Sequence, residues 1–452
     1  MNKRRQRKKR LPTQAIELDI QRLSHDGRGV ASINGKVAFV AGSLPGEKVS
    51  ARYTRRRSQL DELRTEEVLA SSAERITPAC EFAALCGGCS LQHMDPAAQI
   101  AFKRAVLLEK LEHATGLTEV DIKPLTTLCA DPYHYRNKAR LAVRFVARKG
   151  GALVGFREKH SNFIADMNYC SVLAKEVADL LEPLRRCISG LQACDNIPQI
   201  EVAVGRISTH NQVALVIRHL LPLNDKDLAV LQQFGDQHLC DIYLQSGGID
   251  TVIKHCPEDE VQRLYYRLEE YDLSMAFHPM DFTQINSEIN QQMIPLAIQL
   301  LDLQAEDTVL DLFSGLGNFT LPVATRCKQV VGIEGSEAMV SRGQENALAN
   351  GIRNATFFTA NLCETITGQP WAGQHYDKIL LDPPRSGAIE ILDQITRLGA
   401  EKIVYVSCNP ATLARDAARL ISQGYRLMSA GVIDMFPHTA HVESIAQFER
   451  VG

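Results

Sequence analysis

From about residue 270 onward the sequence alternates short β-branched apolar runs with longer stretches of helical periodicity, and no other feature limits the fold as strongly. The runs are Val309-Leu310-Asp311-Leu312, Gln329-Val330-Val331-Gly332-Ile333, Ile379-Leu380-Leu381-Asp382 and Ile403-Val404-Tyr405-Val406. Runs this short and apolar read as strands buried on both faces, and parallel strands joined by helices are the arrangement that covers both faces. The expectation for residues 269–452 is therefore a mostly parallel α/β sheet. Its chemistry should gather at the carboxyl ends of the strands, where open sheets of this kind leave a crevice.

Two of these strand ends carry residues suited to such a crevice. Cys408 follows the last run, and Asn409-Pro410 ends that strand abruptly. A free cysteine is commonly a buried core residue, but one held at a strand's carboxyl end is equally placed to act as a nucleophile. Earlier, Asp311-Leu312-Phe313-Ser314-Gly315-Leu316-Gly317-Asn318-Phe319-Thr320 reads as a strand, a glycine loop and a helix start. Glu334 ends the next strand about twenty residues on, where a carboxylate accepts hydrogen bonds from two ribose hydroxyls. A nucleoside-containing cofactor is expected. A dinucleotide loop would want a third glycine where this chain has Thr320, and Asp311 is placed to hold an ammonium group. S-adenosylmethionine fits both facts; NAD, used by an oxidoreductase, is the rival.

Charge is distributed unevenly. Residues 1–60 hold 15 Lys or Arg against 4 Asp or Glu, and the remainder hold 35 against 49, which together give the net −3. Seven of the first ten residues are basic, and Arg52, Arg55, Arg56 and Arg57 form a second cluster. Such runs are often solvated disordered tails. A cationic arm on an otherwise acidic protein also suits a polyanion, so nucleic acid is the expected partner. The basic start leads into Leu11-Pro12-Thr13-Gln14-Ala15, not into an apolar run, and no stretch approaches a membrane span. The expectation is a cytoplasmic protein with no membrane partner, whose 12 cysteines are reduced thiols or metal ligands.

The chain therefore divides into a basic tail (1–11), a barrel (12–70), a cysteine segment (71–95), a central domain (96–268) and the α/β domain (269–452). Residues 12–70 alternate apolar and polar positions with turn signals at Asp26-Gly27, Asn34-Gly35 and Pro45-Gly46, as in a small OB-like β-barrel. Cys80, Cys86 and Cys89 are spaced for zinc or an iron–sulfur cluster, and spacing leaves the fourth ligand open among Cys129, Cys170, Cys187 and Cys194. The central domain reads as α+β, with strands over 139–146 and 199–204. A helix over 96–116 carries Ala101, Ala105, Val106, Leu107 and Leu111 on its apolar side and is available to pack on the catalytic domain. Tyr135 to Arg140 and Gly155-Phe156-Arg157 could contact phosphates or serve the edge of a core.

Asp382-Pro383-Pro384-Arg385 ends a further strand, a tetrad similar to that in methyltransferases of nucleic-acid bases. Without Cys408 it would favour methylation of a base amino group. With Cys408 on the next strand, the chemistry becomes that of a pyrimidine carbon. A thiolate adding to C6 of uracil turns the ring into an enolate whose C5 can attack a methyl group. The C5 proton must then leave, so a base has to lie nearby. Glu443 is flanked by apolar residues that would push its pKa up toward a useful base; His438 and His441 compete with it.

Five ordered motifs together resemble the RNA uracil-C5-methyltransferase family over nearly the whole chain: Phe282-Thr283-Gln284-Ile285-Asn286, the glycine loop, Asp382-Pro383-Pro384-Arg385, Ser407-Cys408-Asn409-Pro410 and His441-Val442-Glu443-Ser444. The resemblance implies a Rossmann-like class I methyltransferase domain with S-adenosylmethionine as methyl donor, Cys408 as nucleophile and Glu443 as the base. It also implies that Gln284, Phe313, Asn318, Glu334, Asn361 and Asp382 line the donor and substrate pocket. Cys86 to His93 resembles a [4Fe–4S] site with Cys80, Cys86, Cys89 and Cys170 as ligands, structural or RNA-contacting in role. Gly27-Arg28-Gly29-Val30-Ala31 and Leu44-Pro45-Gly46-Glu47 resemble a TRAM barrel. The tRNA-directed type is expected to share only the catalytic half, so barrel plus cluster implies the branch acting on 23S ribosomal RNA, at a single-stranded or loop uridine, as a monomer. The alternatives are tRNA uridine methylation and a non-catalytic RNA-binding module for ribosome assembly.

Overall fold

The computed structural model describes residues 11–207, 210–257 and 262–451, and counts of elements refer to these. The expected cationic arm at residues 1–10 lies outside them. Two compact units emerge, Met1–Phe102 with His438–His441, and Lys103–Pro437 with Val442–Gly452. None of the described helices is long and apolar enough to cross a membrane.

In the first unit, strands β1 (Ile16–Asp19), β2 (Arg22–Leu23), β3 (Gly29–Ile33), β4 (Lys36–Ala41), β5 (Lys48–Arg56) and β6 (Leu60–Ala70) form one sheet in the order β1-β5-β6-β4-β3-β2. The β3–β4 hairpin turns on Asn34 and Gly35, whose φ angles of 50° and 78° are those of a tight I′ turn. The pairing of β5 with β6 shifts register at three points. Each irregularity bends and twists the ladder, and the curled sheet closes over Leu18, Ile20, Val40, Val49 and Leu63.

Helix α1 (Pro96–Thr115) corrects one expectation. Ala101 and Ala105 are exposed, and the buried row is Gln99, Lys103, Val106, Leu107 and Leu111. Two polar residues displace the alanines because both find hydrogen-bond partners. The Gln99 amide donates to the carbonyls of Leu91 and Met94 at 3.2 and 2.8 Å, and the Lys103 ammonium meets Asp434 at 2.5 Å.

The second unit holds two large sheets. After β7 (Lys123–Pro124) come β8 (Lys138–Val146), β9 (Gly151–Gly155), α2 (Lys175–Gly190), β10 (Gln199–Ile207), β11 (His210–Arg218), α3 (Asp225–His238), β12 (Cys240–Gln245) and β13 (Val252–Cys256). Strands β8 to β13 form a six-stranded sheet in the order β13-β12-β11-β10-β8-β9, with α2 and α3 packed on it. A hairpin of β14 (Leu264–Leu268) and β15 (Leu273–Phe277) leads to α4 (Ser287–Leu301).

The remaining elements are β16 (Thr308–Leu312), α5 (Thr320–Ala324), β17 (Gln329–Glu334), α6 (Glu337–Ala349), β18 (Ala355–Thr359), β19 (Lys378–Leu381), α7 (Ile389–Ile395), β20 (Lys402–Ser407), α8 (Pro410–Ser422), β21 (Tyr425–Ile433) and β22 (Glu443–Arg450). They build an eight-stranded sheet in the order β18-β17-β16-β19-β20-β22-β21-β7. The first five are parallel, as the alternation of strand and helix dictates, while β22 runs antiparallel to β20 and β21. β7, from the stretch read as the central domain, supplies the outer edge strand beside β21. One core runs through the unit, from Ala203, Val216 and Tyr243 through Phe277 and Ile289 to Leu380 and Val404.

The chain leaves β16 toward β17 on one side and returns as β19 on the other, which opens a crevice between the carboxyl ends of β16 and β19. A buried aromatic ring supports the loop on its β16 side. A side chain on Gly332 or Gly343 would meet the Phe357 ring at 2.8 Å, and one on Gly317 would meet it at 3.2 Å. Gly343 lies inside α6, where alanine would ordinarily gain about 1 kcal/mol of helix preference. Crowding a buried ring opposes this by about 1–3 kcal/mol. Gly343→Ala should therefore lower stability to denaturant, and adding Phe357→Leu should restore most of it.

Candidate active site

The direction of each strand brings the expected site residues to one edge. Phe313, Glu334, Asp382 and Cys408 lie at or just beyond the carboxyl ends of the parallel strands β16, β17, β19 and β20. Because β22 is antiparallel, its first residue, Glu443, starts at that same edge. Ser407 pairs with Ser444, so Cys408 and Glu443 are the next residues in register.

Local capping fixes Cys408. Asn409 is the N-cap of α8 and accepts from the Ala411 N–H at 3.1 Å, while Pro410 occupies the first turn, where its missing N–H is not needed. The Ser407 hydroxyl accepts from the Asn409 N–H at 3.2 Å and donates to the Asn409 carbonyl at 3.1 Å. The Asn409 amide donates to the Arg385 carbonyl at 3.1 Å, which ties the Asp382–Arg385 loop to the cysteine loop. Fully buried Asp416 reinforces the tie, accepting from the Ala388 N–H and the Tyr405 hydroxyl, each at 2.7 Å.

The glycine loop is equally defined. Phe313 holds a left-handed φ of 65°, an unusual conformation for a residue with a bulky side chain. Glu334 accepts from the Gly315 N–H at 3.1 Å and the Ser336 N–H at 2.9 Å, which orients its carboxylate and leaves further lone pairs for a ligand. The helix that follows, α5, is only five residues long. Asn318 exchanges amide hydrogen bonds with Asn290 at 2.9 and 3.0 Å and accepts from the Tyr266 hydroxyl at 2.9 Å. Asn290, Tyr266, Gln284 and Arg206 line a cavity of about 510 Å³, whose lining includes neither Cys408 nor Glu443. Asn361 turns onto its own loop, donating to Glu364 at 2.7 Å and accepting from the Cys363 N–H at 3.1 Å.

Electrostatically, the edge is short of positive charge. Burial pushes Asp382 up to about 7 and Asp311 up to about 7, although the Thr320 hydroxyl donates to Asp311 at 2.6 Å. The other Asp311 oxygen and the Ser314 hydroxyl are buried with no hydrogen-bond partner. Burial, then Asp382, pushes Glu443 up to about 8, with Arg385 and Lys103 pulling the other way. Burial, then Glu443 and Asp382, pushes the Cys408 thiol up to about 11, with Arg385 opposing. Such a site favours a ligand that brings its own positive charge.

His438 is fully buried at a left-handed φ of 64°, and its N–H donates to Gln99 at 2.8 Å, an environment that suits a structural role. The His441 N–H donates to the Thr439 hydroxyl at 3.2 Å. Cys80, Cys86 and Cys89 lie in the first unit and Cys170 in the second. Cys86 and Cys89 are buried, and the Gly88 N–H donates to the Cys86 sulfur at 3.3 Å, a bond suited to a thiolate ligand. Among the described residues, however, no group of three or more His, Cys, Asp or Glu is assembled to hold a metal ion.

Sequence reading missed Tyr266 and Asn290, whose hydrogen bonds hold Asn318, and the buried Lys103. The last had a signal, since a lysine in the i, i+4, i+8 row of Gln99, Lys103 and Leu107 stands among residues that must face inward.

A family model described as tRNA (Uracil-5-)-methyltransferase matches residues 117–451, and a TRAM domain matches residues 9–59. A relative in Alcanivorax borkumensis, 23S rRNA (uracil(1939)-C(5))-methyltransferase RlmD, is 50% identical over 98% of this chain and 99% of its own. The protein of the same name in Hahella chejuensis is 51% identical, with the same coverage of 98% and 99%. Among solved structures, the Pyrococcus abyssi tRNA (uracil-54, C5)-methyltransferase in complex with S-adenosyl-L-homocysteine is 25% identical. It superposes with a TM-score of 0.73 over 96% of this chain and 99% of that one. This corrects the expectation that tRNA-directed enzymes share only the catalytic half, because a tRNA-directed chain spans nearly all of it. The matched segments and the full-length relatives agree, and the chain belongs to the tRNA (uracil-5-)-methyltransferase family.

Proposed function

We propose that the protein methylates C5 of a uridine in 23S ribosomal RNA, with S-adenosylmethionine as methyl donor. The observation that carries the mechanism is the β20–β22 register, which sets Cys408 and Glu443 side by side at the sheet edge where Asp382 and the glycine loop end. Identity of about half over the full length of relatives named as 23S rRNA methyltransferases supports the ribosomal target. The TRAM match and the basic N-terminal region support RNA as the partner.

Glu334 would hold the ribose hydroxyls, Asp311 the ammonium group, and Phe313, Asn318, Gln284, Asn361 and Asp382 the rest of the donor and base pocket. The bound donor supplies an electrophilic methyl group on a positively charged sulfonium, and that charge answers the surplus of carboxyl groups at the edge. Cys408 Sγ, as the thiolate, would add to C6 of the uracil, and the electron pair displaced toward C5 would form the new bond to the methyl carbon as that carbon's bond to the sulfonium sulfur breaks and leaves its electron pair on the sulfur. Glu443 then takes the C5 proton, the C5–C6 double bond re-forms, and Cys408 leaves as thiolate. A loop or single-stranded uridine suits this pocket because its base can be splayed out without unpairing a duplex.

Cys80, Cys86, Cys89 and Cys170 have the donor chemistry of a [4Fe–4S] ligand set, which would be structural, since methyl transfer involves no net oxidation or reduction. Anaerobically purified protein should contain iron and sulfide, and Cys86→Ala should lose both. A full iron complement in that variant would remove Cys86 from the set.

Incubation with 23S RNA containing 5-fluorouridine should trap a covalent complex on the peptide bearing Cys408, and Cys408→Ser should form none. On ordinary RNA, Glu443→Gln should accumulate a methylated adduct while turnover falls by about 10²–10⁴. Rapid turnover by either variant would overturn the assignment.

The pH dependence follows from Glu443. The base works in its ionised form, so resolution of the adduct should be slow near pH 6 and level off above about 8, the value to which burial raises this carboxyl. Its folded-state pKa lies above the ordinary 4.5, so the folded state binds the proton more tightly. The stability this confers is present at acid pH and lost as pH rises through about 8. Glu443→Gln should therefore raise the melting temperature more at pH 8 than at pH 5.

A further inference from the structure

We propose that Lys103 is a positioning residue for the base, pinning the segment that leads to Glu443 and facing that carboxyl with a sealed positive charge. The inference rests on reading Glu443 as the base. Lys103 sits in α1 at 0% exposure. Its ammonium donates to Asp434 Oδ1 at 2.5 Å and to the Phe436 carbonyl at 2.9 Å. Asp434 directly follows Ile433, which pairs with Glu443 in the β21–β22 ladder. The ammonium is thus anchored where β21 leaves the sheet, beside the first residue of β22.

A fully buried lysine needs an anionic partner, because an uncompensated charge there is strongly destabilising. Burial lowers the Lys103 pKa, and Asp434 and then Glu443 raise it. Four groups act on or face Glu443: Asp382 from beyond β19, Arg385 from the same loop, Cys408 from beyond β20, and Lys103 from α1. Asp382 disfavours the ionised carboxylate, whereas Arg385 and Lys103 favour it. Arg385 is exposed, so a phosphate of bound RNA can neutralise it. Lys103 has no access to solvent, so a phosphate of bound RNA cannot reach its ammonium. Asp434 holds that charge in place, so the pair both fixes the base and keeps it ready to accept a proton.

The test uses the full-length protein and 23S RNA, following resolution of the methylated adduct from about pH 6 to about pH 9. Lys103→Met should move the ionisation limb about one pH unit toward alkali and slow resolution at neutral pH about tenfold, with adduct formation retained. Asp434→Asn leaves Glu443 as the carboxylate that Lys103 still faces, and should move the limb toward acid. A merely structural role predicts uniform loss at every pH. Limbs unmoved in both variants overturn the proposal; if Lys103→Met does not fold, an unmoved limb in Asp434→Asn does so alone. Glu443→Gln separates the two readings. If it resolves adducts at the wild-type rate, the base assignment itself fails; if it is blocked while the other limbs stay unmoved, only the role of Lys103 fails.

Discussion

The antiparallel pairing of β22 with β20 is the constraint from which the site follows. Every other strand between β16 and β20 runs parallel, so each contributes to the crevice only through the loop at its carboxyl end. A strand running the opposite way contributes its first residue instead. The Ser407–Ser444 register therefore presents a side chain from the far end of the sequence to the cysteine that ends β20. A slip of one residue would turn Glu443 to the other face of the sheet. The register is protected by the burial of Ile445 on one face of the strand and of Ala446 and Phe448 on the other.

Burial gives this edge its reactivity and also its instability. Asp311, Asp382 and Glu443 are all pushed toward neutrality by burial, and Cys408 is held as a thiol. A protein selected for stability alone would have no use for such a concentration of carboxyl groups pushed toward neutrality. Their arrangement makes sense for a cationic ligand, whose arrival favours the ionised forms that chemistry requires. The tied loops around Arg385, Asn409 and Asp416 keep these groups from relaxing toward water in the meantime.

Fold and target are separate questions for this chain. A tRNA-directed enzyme superposes over 96% of it, while relatives named for 23S ribosomal RNA share about half its residues. The architecture is thus common to enzymes named for different RNAs, and the fold alone does not set the target. The cysteine segment also separates chemistry from assembly. Its donor types were plain from the sequence, whereas the described residues do not gather them into a metal-holding group.

Strands β16, β17, β19 and β20 of the C-terminal sheet were legible because a strand buried on both faces must be apolar along its whole length. The Asn34-Gly35 turn, the strand end at Asn409-Pro410 and the glycine loop were legible because local backbone geometry alone demands those residue types. Helix α1 was misread where polar residues replaced alanines on its buried face, since the partners that make Lys103 tolerable there, Asp434 and the Phe436 carbonyl, come from a distant part of the chain. Local sequence thus determined which segments are strands, turns and caps, for these depend on neighbours a few positions away. Only the tertiary structure decided that Glu443 stands next to Cys408 in register, that Asn290 holds Asn318, and that Lys103 is buried against Asp434. Pairing across the sheet and burial in a shared low-dielectric interior are properties of the folded chain and leave no periodic mark along it.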